Sequence, residues 1–336
     1  MAKALMVNSR GGGLILTQPY PTAASTYFVM ANTSLVEQST ELHAQIPYRS
    51  GGVLSNLYVK VSQNDIATGN TVVYTRKNSN NGAQSVTIAA GETGEYEDVT
   101  YTDTVTAGES WNYRVLMDAA SEFDSGGTIT INIIAICFAA TTNTVVYYAA
   151  VGFPDLSTGS TYYAAPADLA DGLNTTEAYS RFNVGASASY NNLYMYCSTH
   201  PGSGSFVVTL NAGTTNTTGT ATTLTKTVTS ATSFEDSAHA TTIAANEYFN
   251  YSITTANTSA FILKIISIEA TSTDKTFHSF VSRSVGRALS YNGTRYLAVG
   301  GGVDISDSVE ADVRADINIA ADVSKLVLYV GANTIS

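Results

Sequence analysis

Apolar and polar residues alternate along most of this chain in short runs, which are separated by turns rich in glycine and asparagine. In one such run Leu57, Val59 and Val61 alternate with Tyr58 and Lys60. Successive side chains of a strand point to opposite faces, so a period of two predicts strands with one apolar face. We therefore expect the three aliphatic side chains to face a core and the tyrosine and lysine to lie on the opposite side.

The first third of the chain predicts a sandwich of two β-sheets. Turn signals such as Asn80-Asn81-Gly82 separate short apolar runs, and short strands between frequent turns are typical of sandwiches and jelly rolls. The predicted strands lie near residues 26–30, 42–48, 53–62, 71–77, 84–90, 96–102, 111–117 and 128–138. Residues 129–136 are apolar on both faces except at Thr130 and Asn132, so they are expected to form a central strand.

A block of 24 residues occurs three times without a gap, at residues 41–64, 177–200 and 310–333. The copies are 136 and then 133 residues apart. This spacing is the length of a whole β-domain and far exceeds the roughly 20–50 residues of a solenoid repeat. The block therefore predicts domains in tandem.

Shorter segments of the first two copies also match, and insertions fall between them. The matched segments are Glu97-Asp98 with Glu235-Asp236, Trp111-Asn112-Tyr113 with Phe249-Asn250-Tyr251, and Tyr27-Phe28-Val29 with Tyr147-Tyr148-Ala149. Core strands change more slowly than loops, so we interpret these segments as strands of duplicated domains. Glu177 and Arg181 in the second block, and Glu310 and Arg314 in the third, are predicted to pair on one face of a strand.

The sequence as a whole predicts an all-β fold of tandem, jelly-roll-like β-sandwiches. We expect an N-terminal extended arm over residues 1–25, sandwich repeat 1 over 26–140, repeat 2 over 141–273 and an incomplete repeat 3 over 274–336. Half a sandwich would leave strand edges and an apolar face uncovered. Either a neighbouring subunit completes the third repeat, or the sequence is a piece of a longer repeat protein.

Composition narrows the classes of partner. Charged residues make up 13% of the chain and the formal net charge is −11, which argues against nucleic acid and anionic lipid because phosphate binding needs clustered Lys and Arg. No stretch approaches the roughly 20 apolar residues of a membrane span, and the N-terminal residues make a poor signal peptide. We expect no nucleic-acid or membrane partner and assembly in a cytoplasm. Cys137 and Cys197 are predicted to be buried free thiols, with an interdomain disulfide as the alternative.

No pattern of residues predicts an active site or a cofactor. The four histidines have no metal-ligand spacing, and nucleotide and nucleophile motifs are missing from the sequence. Two acidic clusters, with Glu97 and Asp98 in one and Asp304 and Asp307 in the other, remain as Ca²⁺ candidates because carboxylates on sandwich loops can hold this ion. Since Glu97-Asp98 recurs, a structural role is favoured, and we expect neither a cofactor nor catalysis.

Apolar residues outside the two complete sandwiches indicate assembly contacts. They are Leu14, Ile15, Leu16 and Tyr20 in the arm, and Leu326, Leu328 and Val330 in the third copy. Covering a few hundred Å² of such surface at about 25 cal/mol per Å² is comparable to the stability of a whole domain. We therefore expect a homo-oligomer, and a trimer by analogy with fibres.

Low charge, strands rich in Thr and Asn, and tandem sandwiches around the repeated block resemble a virion structural protein of a tailed bacteriophage, such as a head fibre, capsid decoration or tail-associated fibre. The resemblance implies that residues 1–25 anchor the chain to capsid or tail proteins of the same virion. Two alternatives stay open. One is a carbohydrate-binding adhesin or extracellular filament subunit that presents tyrosines to a host surface glycan. The other is a glycan-active enzyme, which needs two carboxylates in a cleft.

Overall fold

A computed structural model describes residues 4–19, 24–30, 35–120, 126–141, 143–151, 156, 159–166, 173–199, 204–229, 233–256, 262–272, 282–284 and 301–303. Within these ranges the regular structure is β, apart from short 3-10 helices at Glu41–His43 and Glu177–Ser180. No helix in the described ranges is long and apolar enough to cross a membrane.

The first sandwich contains two antiparallel sheets. Its strands are β1 (Ala4–Thr17), β2 (Ser25–Val29), β3 (Ile46–Pro47), β4 (Gly52–Asn64), β5 (Asn70–Lys77), β6 (Asn80–Ala89), β7 (Gly94–Val105), β8 (Ser110–Met117) and β9 (Thr128–Ala140). One sheet has the order β1-β9-β4-β7, and the other has the order β2-β8-β5-β6 with β3 also paired to β8. Side chains from both sheets, including Trp111 and Phe138, form one core between them.

The second sandwich repeats this arrangement. Its strands are β10 (Thr144–Val151), β11 (Thr161–Ala164), β12 (Phe182–Asn183), β13 (Ala188–Thr199), β14 (Ser205–Gly213), β15 (Thr220–Val228), β16 (Ser233–Ile243), β17 (Tyr248–Ala256) and β18 (Ile262–Ser272). The sheet orders are β10-β18-β13-β16 and β11-β17-β14-β15, with β12 on β17. Two further strands, β19 (Ser282–Ser284) and β20 (Gly301–Val303), pair in parallel. Cys137 and Cys197 are buried and are not joined in a disulfide, as predicted.

The two sandwiches follow one plan, because adding nine to each strand number of the first gives the strand order of the second. Leu57 on β4 and Leu193 on β13 hold equivalent positions, and both are fully buried. The ladder is irregular just before each leucine, where Asn56 and Asn192 have φ of 58° and 53°. Asparagine tolerates this left-handed conformation better than most residues. The predicted fold of tandem β-sandwiches is confirmed.

The expected N-terminal arm is wrong for residues 4–17, which form an edge strand of the first sandwich. This strand, β1, pairs with β9, and Leu14 and Leu16 enter the core. Gly11-Gly12-Gly13, which predicted a break, is accommodated by a shift of the ladder register. The last of these glycines has φ of 73°, and a Cβ there would overlap Thr130. Glycine therefore lets an edge strand bulge instead of ending it.

Two further expectations are corrected. Residues 42–48, predicted as a strand, form part of a 3-10 helix followed by the two-residue strand β3. Tyr27-Phe28-Val29 lies on β2, whereas Tyr147-Tyr148-Ala149 lies on β10, the counterpart of β1. The pairing of β2 with β8 and of β11 with β17 shows instead that the counterpart of Tyr27-Phe28-Val29 is Tyr162-Tyr163-Ala164. The second sandwich thus begins with the counterpart of the strand that was predicted to be an arm.

Candidate assembly surface

The repeated acidic pair contains a carboxylate that joins the two sheets of a sandwich. Asp98 on β7 accepts hydrogen bonds from the backbone N–H groups of Ser85 at 3.0 Å, Thr100 at 3.0 Å and Tyr101 at 3.1 Å. Ser85 lies on β6, in the opposite sheet. In the second sandwich, Asp236 likewise accepts from a backbone N–H of β15, in the sheet opposite its own. The recurrence of this aspartate therefore has a structural cause.

The Ca²⁺ candidates do not converge on a site. Glu97 pairs with Tyr58 and Asp98 with Leu57 across β4 and β7, so the two carboxylates point to opposite faces of the sheet. In the described part of the chain, no group of three His, Cys, Asp or Glu side chains is arranged to hold a metal ion. The other two candidates, Asp304 and Asp307, lie outside the described residues.

A glutamate–arginine pair occurs in both sandwiches, but the arginine comes from different positions. Glu41 accepts from Nε and Nη2 of Arg76 on β5, both at 2.9 Å. Glu177 accepts from Nη1 of Arg181 at 3.1 Å. This second pair was predicted, although it forms at a 3-10 helix instead of along a strand. In the second sandwich, the pairing of the strands places an asparagine at the position that Arg76 holds in the first. Both sandwiches therefore have the ion pair, but the arginine comes from a different position in the sequence of each.

The two sandwiches meet at a polar junction made by the loop before β4. Arg49 Nε donates to Glu235 Oε1 at 2.6 Å, and Arg49 Nη2 donates to the second oxygen of the same carboxylate. Ser50 Oγ donates to Glu269 Oε1 at 2.7 Å, and Asn192 Nδ2 donates to Oε2 at 3.4 Å. Glu269 is only 4% exposed. Hydrogen bonds from both sandwiches compensate the cost of burying this carboxylate.

Aromatic and aliphatic side chains surround these polar contacts. Tyr194, Tyr196 and Ile265 lie on the outer face of the β10-β18-β13-β16 sheet, away from their own core, and belong to or pack against the core cluster of the first sandwich. The rings of His43 and Tyr196 have centroids 5.8 Å apart. The junction therefore combines an ion pair, a buried carboxylate and apolar packing.

Burial at this junction changes the protonation equilibria of two side chains. The pKa of Tyr194 is raised to about 12, mainly by burial and also by the nearby Tyr196 and Glu235, while Arg49 opposes the shift. Burial also lowers the pKa of His43, and the positive charge of Lys264 acts in the same direction. Both groups are thus held in their neutral forms near pH 7.

The junction is a head-to-tail contact. One partner is the loop between β3 and β4 of the first sandwich, with Arg49 and Ser50. The other is the outer face of a sheet in the second sandwich, with Glu235 and Glu269. The two partner surfaces are different, so the contact is heterologous and can in principle be repeated along a series of domains.

The corresponding outer face of the first sandwich is apolar and buried. Its side chains are Val7, Tyr58, Ile133, Ala135 and Cys137, which form a cluster separate from the main core. Each is at most 4% exposed. We call these five residues the outer cluster. The sequence predicted that Tyr58 lies opposite the core-facing leucine, but it did not predict burial on that side.

The predicted assembly residues of the N-terminal segment divide between the core and the surface. Leu14 and Leu16 are corrected to core residues of the first sandwich, because β1 belongs to its sheet. Ile15, between them, is 61% exposed. The remaining candidates, Tyr20, Leu326, Leu328 and Val330, lie outside the described residues.

The sequence did not single out the exposed apolar pair Val99 and Tyr101. They lie on β7, at an edge of the first sheet, and are 65% and 57% exposed. The aligned positions of β16 are Ser237 and His239, so the pair is specific to the first sandwich. Alternation alone could not identify it, because alternation shows which side chains share a face of a strand but not whether that face is covered.

No family model and no curated protein sequence matches this chain. A xanthan lyase from Paenibacillus is 12% identical and covers 68% of the chain, which spans 22% of that protein, with a TM-score of 0.20. The complex of plant peptide RALF23 with FER and LLG2 is 11% identical over 81% of this chain and 96% of that one, with a TM-score of 0.25. The ANX1 ectodomain from Arabidopsis thaliana is 10% identical over 82% and 98%, with a TM-score of 0.23. Likenesses this weak carry no argument about function.

Proposed function

We propose that this chain is a structural protein of a virion, serving as a capsid decoration, a head fibre or a tail-associated component. The junction between the sandwiches is the observation that supports it best. Arg49 and Ser50 fix one sandwich on a sheet face of the next through Glu235 and Glu269. Two-point contacts to carboxylates require a defined geometry, so they hold successive domains in a set orientation. A building block needs this property.

Attachment to the particle uses the sheet edges of the first sandwich in this proposal. Residues 4–17 belong to the sandwich and are not free to act as an arm. Ile15 on β1 and the pair Val99 and Tyr101 on β7 are exposed on the two edge strands of one sheet. Edge strands also offer unpaired backbone groups to a partner strand. Capsid or tail proteins, and further copies of this chain, are the partners we assign to these edges.

Fractionation of the source culture tests the virion assignment. An antibody raised against the recombinant chain would follow it through a density gradient of the lysate after nuclease treatment. We expect the chain to co-sediment with nuclease-resistant, DNA-containing particles and to label them at regular positions in immunogold micrographs. Recovery only from cell surfaces or extracellular filaments would contradict this function and favour the adhesin.

Light scattering on the purified chain tests self-association. We expect a mass of three times the 35.3 kDa of one chain. The matched variant replaces Val99 by serine and Tyr101 by histidine, the residues of the second sandwich, and is expected to be monomeric with both sandwiches folded. A monomeric wild-type chain would remove self-association from the proposal.

A further inference from the structure

The outer cluster of the first sandwich occupies the same place in its sheet as the docking face of the second. Tyr58 pairs with Ala135 on one side and Glu97 on the other. Tyr194 pairs with Ser267 and Glu235 in the same way. Cys137 pairs with Ser55 on β4, and Glu269 pairs with Asn191 on β13. Because Ser55 and Asn191 occupy matching positions of the repeated block, Cys137 is the counterpart of Glu269. The junction on the second sandwich therefore indicates what kind of segment would bind the matching face of the first sandwich, namely a loop that precedes the counterpart of β4.

The repeated block identifies the counterpart of the docking loop in the third repeat. Arg49 and Ser50 are the ninth and tenth residues of the first block, which starts at Glu41. In the third block, which starts at Glu310, the same places hold Asn318 and Ile319. The candidate segment is therefore 312–319, the counterpart of 43–50.

The chemistry of each face matches the loop we assign to it. Where the second sandwich has the buried carboxylate of Glu269, the first loop supplies the hydroxyl of Ser50. Where the first sandwich has the small apolar side chain of Cys137, the third block supplies Ile319. A polar pair in one junction thus corresponds to an apolar pair in the other, as expected if both pairs are in contact.

The path of the chain places the start of the third repeat beside the first sandwich. Cα atoms of β20, Gly301–Val303, lie within 8 Å of Cα atoms of β1. β1 carries Val7, one of the five members of the outer cluster. That cluster is buried within a single chain. Both observations favour an occupant from the same chain over one from a second copy.

We propose that residues 312–319 dock on the outer cluster of the first sandwich in the same chain, with Ile319 against Cys137. This contact would join the third repeat to the first, as the polar junction joins the first repeat to the second. The observed junction is polar, and the proposed contact is apolar. The proposal concerns the architecture of one chain and does not depend on the virion assignment.

Disulfide trapping tests the contact. Ile319→Cys is made in a Cys197→Ala background, so that Cys137 is the only other thiol. Mild oxidation is expected to link positions 137 and 319 within one chain, seen as a shifted monomer band on a non-reducing gel and as a linked peptide by mass spectrometry. The matched control is Ile317→Cys, whose counterpart Tyr48 is fully buried in its own core, so this thiol should remain unlinked.

A positive control for the reaction combines Ser50→Cys and Glu269→Cys in a chain without the two native thiols. If this pair links and the pair 137–319 does not link above the level of Ile317→Cys, the proposal is wrong. A link at twice the chain mass would also overturn it, because the occupant would then be a second copy.

A second test replaces the proposed apolar pair by the polar pair of the observed junction and does not depend on disulfide geometry. Cys137→Glu is expected to lower the urea midpoint of the first sandwich, because it places a carboxylate against isoleucine. Adding Ile319→Ser reproduces the pair of the polar junction and is expected to restore most of the loss. Ile317→Ser serves as the control and should restore nothing. Strictly additive effects of Cys137→Glu and Ile319→Ser would contradict the contact.

Discussion

Replacing Leu16 by alanine tests whether the N-terminal segment is a core strand of the first sandwich. Leu16 is 2% exposed and packs in the main core. Its removal leaves a cavity in addition to the lost burial, so the expected loss is about 2–5 kcal/mol. Ile15 is the matched control, because it lies on the same strand and is 61% exposed. Ile15→Ala should change the free energy of unfolding by no more than about 0.5 kcal/mol.

The chain offers a selective probe for this measurement. Its single tryptophan, Trp111, is fully buried in the core of the first sandwich. Tryptophan fluorescence during urea denaturation therefore reports on that sandwich even if the two domains unfold separately. With a slope of about 1–3 kcal/mol per molar urea, a loss of about 3 kcal/mol lowers the midpoint by roughly 1–3 M. Equal midpoints for Leu16→Ala and Ile15→Ala would refute the assignment of β1 to the core.

Three further outcomes are expected. Asp98→Asn should destabilise the first sandwich by about 1–3 kcal/mol in denaturation experiments, because it removes the charge that accepts three backbone N–H groups; an unchanged midpoint would contradict the role. Arg76→Asn leaves Glu41 without its guanidinium partner, and adding Gln45→Arg copies the second sandwich and should restore most of the thermal stability; the idea fails if Gln45→Arg does not help. Because the pKa of His43 is lowered in the folded protein, this histidine is protonated at a higher pH in the unfolded chain, and stability is lost as pH falls below about 6.5. His43→Gln should therefore make the melting temperature less dependent on pH between about pH 7 and 5.5. An equal slope of melting temperature against pH in the two proteins would refute this prediction.

Much of the fold could be predicted because the chain is built from local signals. Alternation set Leu57 and Val59 inward and Tyr58 to the opposite face, and the structure places them so. Turn residues gave strand limits within a few positions of those observed. The apolar run 129–136 was predicted to be central, and β9 lies between β1 and β4.

The N-terminal strand was missed because a run of three glycines was taken to end regular structure. Three consecutive glycines normally interrupt regular structure. Here the partner strand β9 continues on both sides of them, and the ladder resumes in a new register at Leu14. Only the tertiary pairing shows that the segments on either side belong to one strand. The same error misplaced the match for Tyr27, since the first sandwich was assumed to start one strand late, at β2.

The junction could not be predicted because its partners are far apart in sequence and carry no motif. Arg49 and Glu235 are 186 residues apart. Glu235 belongs to a recurring Glu-Asp pair, and recurrence correctly indicated a structural role. The two members nevertheless do different work. The aspartate joins the sheets within each sandwich, while Glu235 binds Arg49 of the other sandwich.

The difference between the junctions provides a reason for the order of the repeats. A partly buried ion pair contributes little net stability relative to well-packed apolar residues, because desolvation offsets the attraction. Its larger effect is on specificity, since a carboxylate such as Glu269 is costly to bury against a loop that lacks a donor. The loop with Ser50 satisfies that carboxylate, and a loop with isoleucine at this place would not. Repeats that share one fold can therefore be arranged in one defined order, because an incorrect pairing would leave the carboxylate of Glu269 without a hydrogen-bond donor.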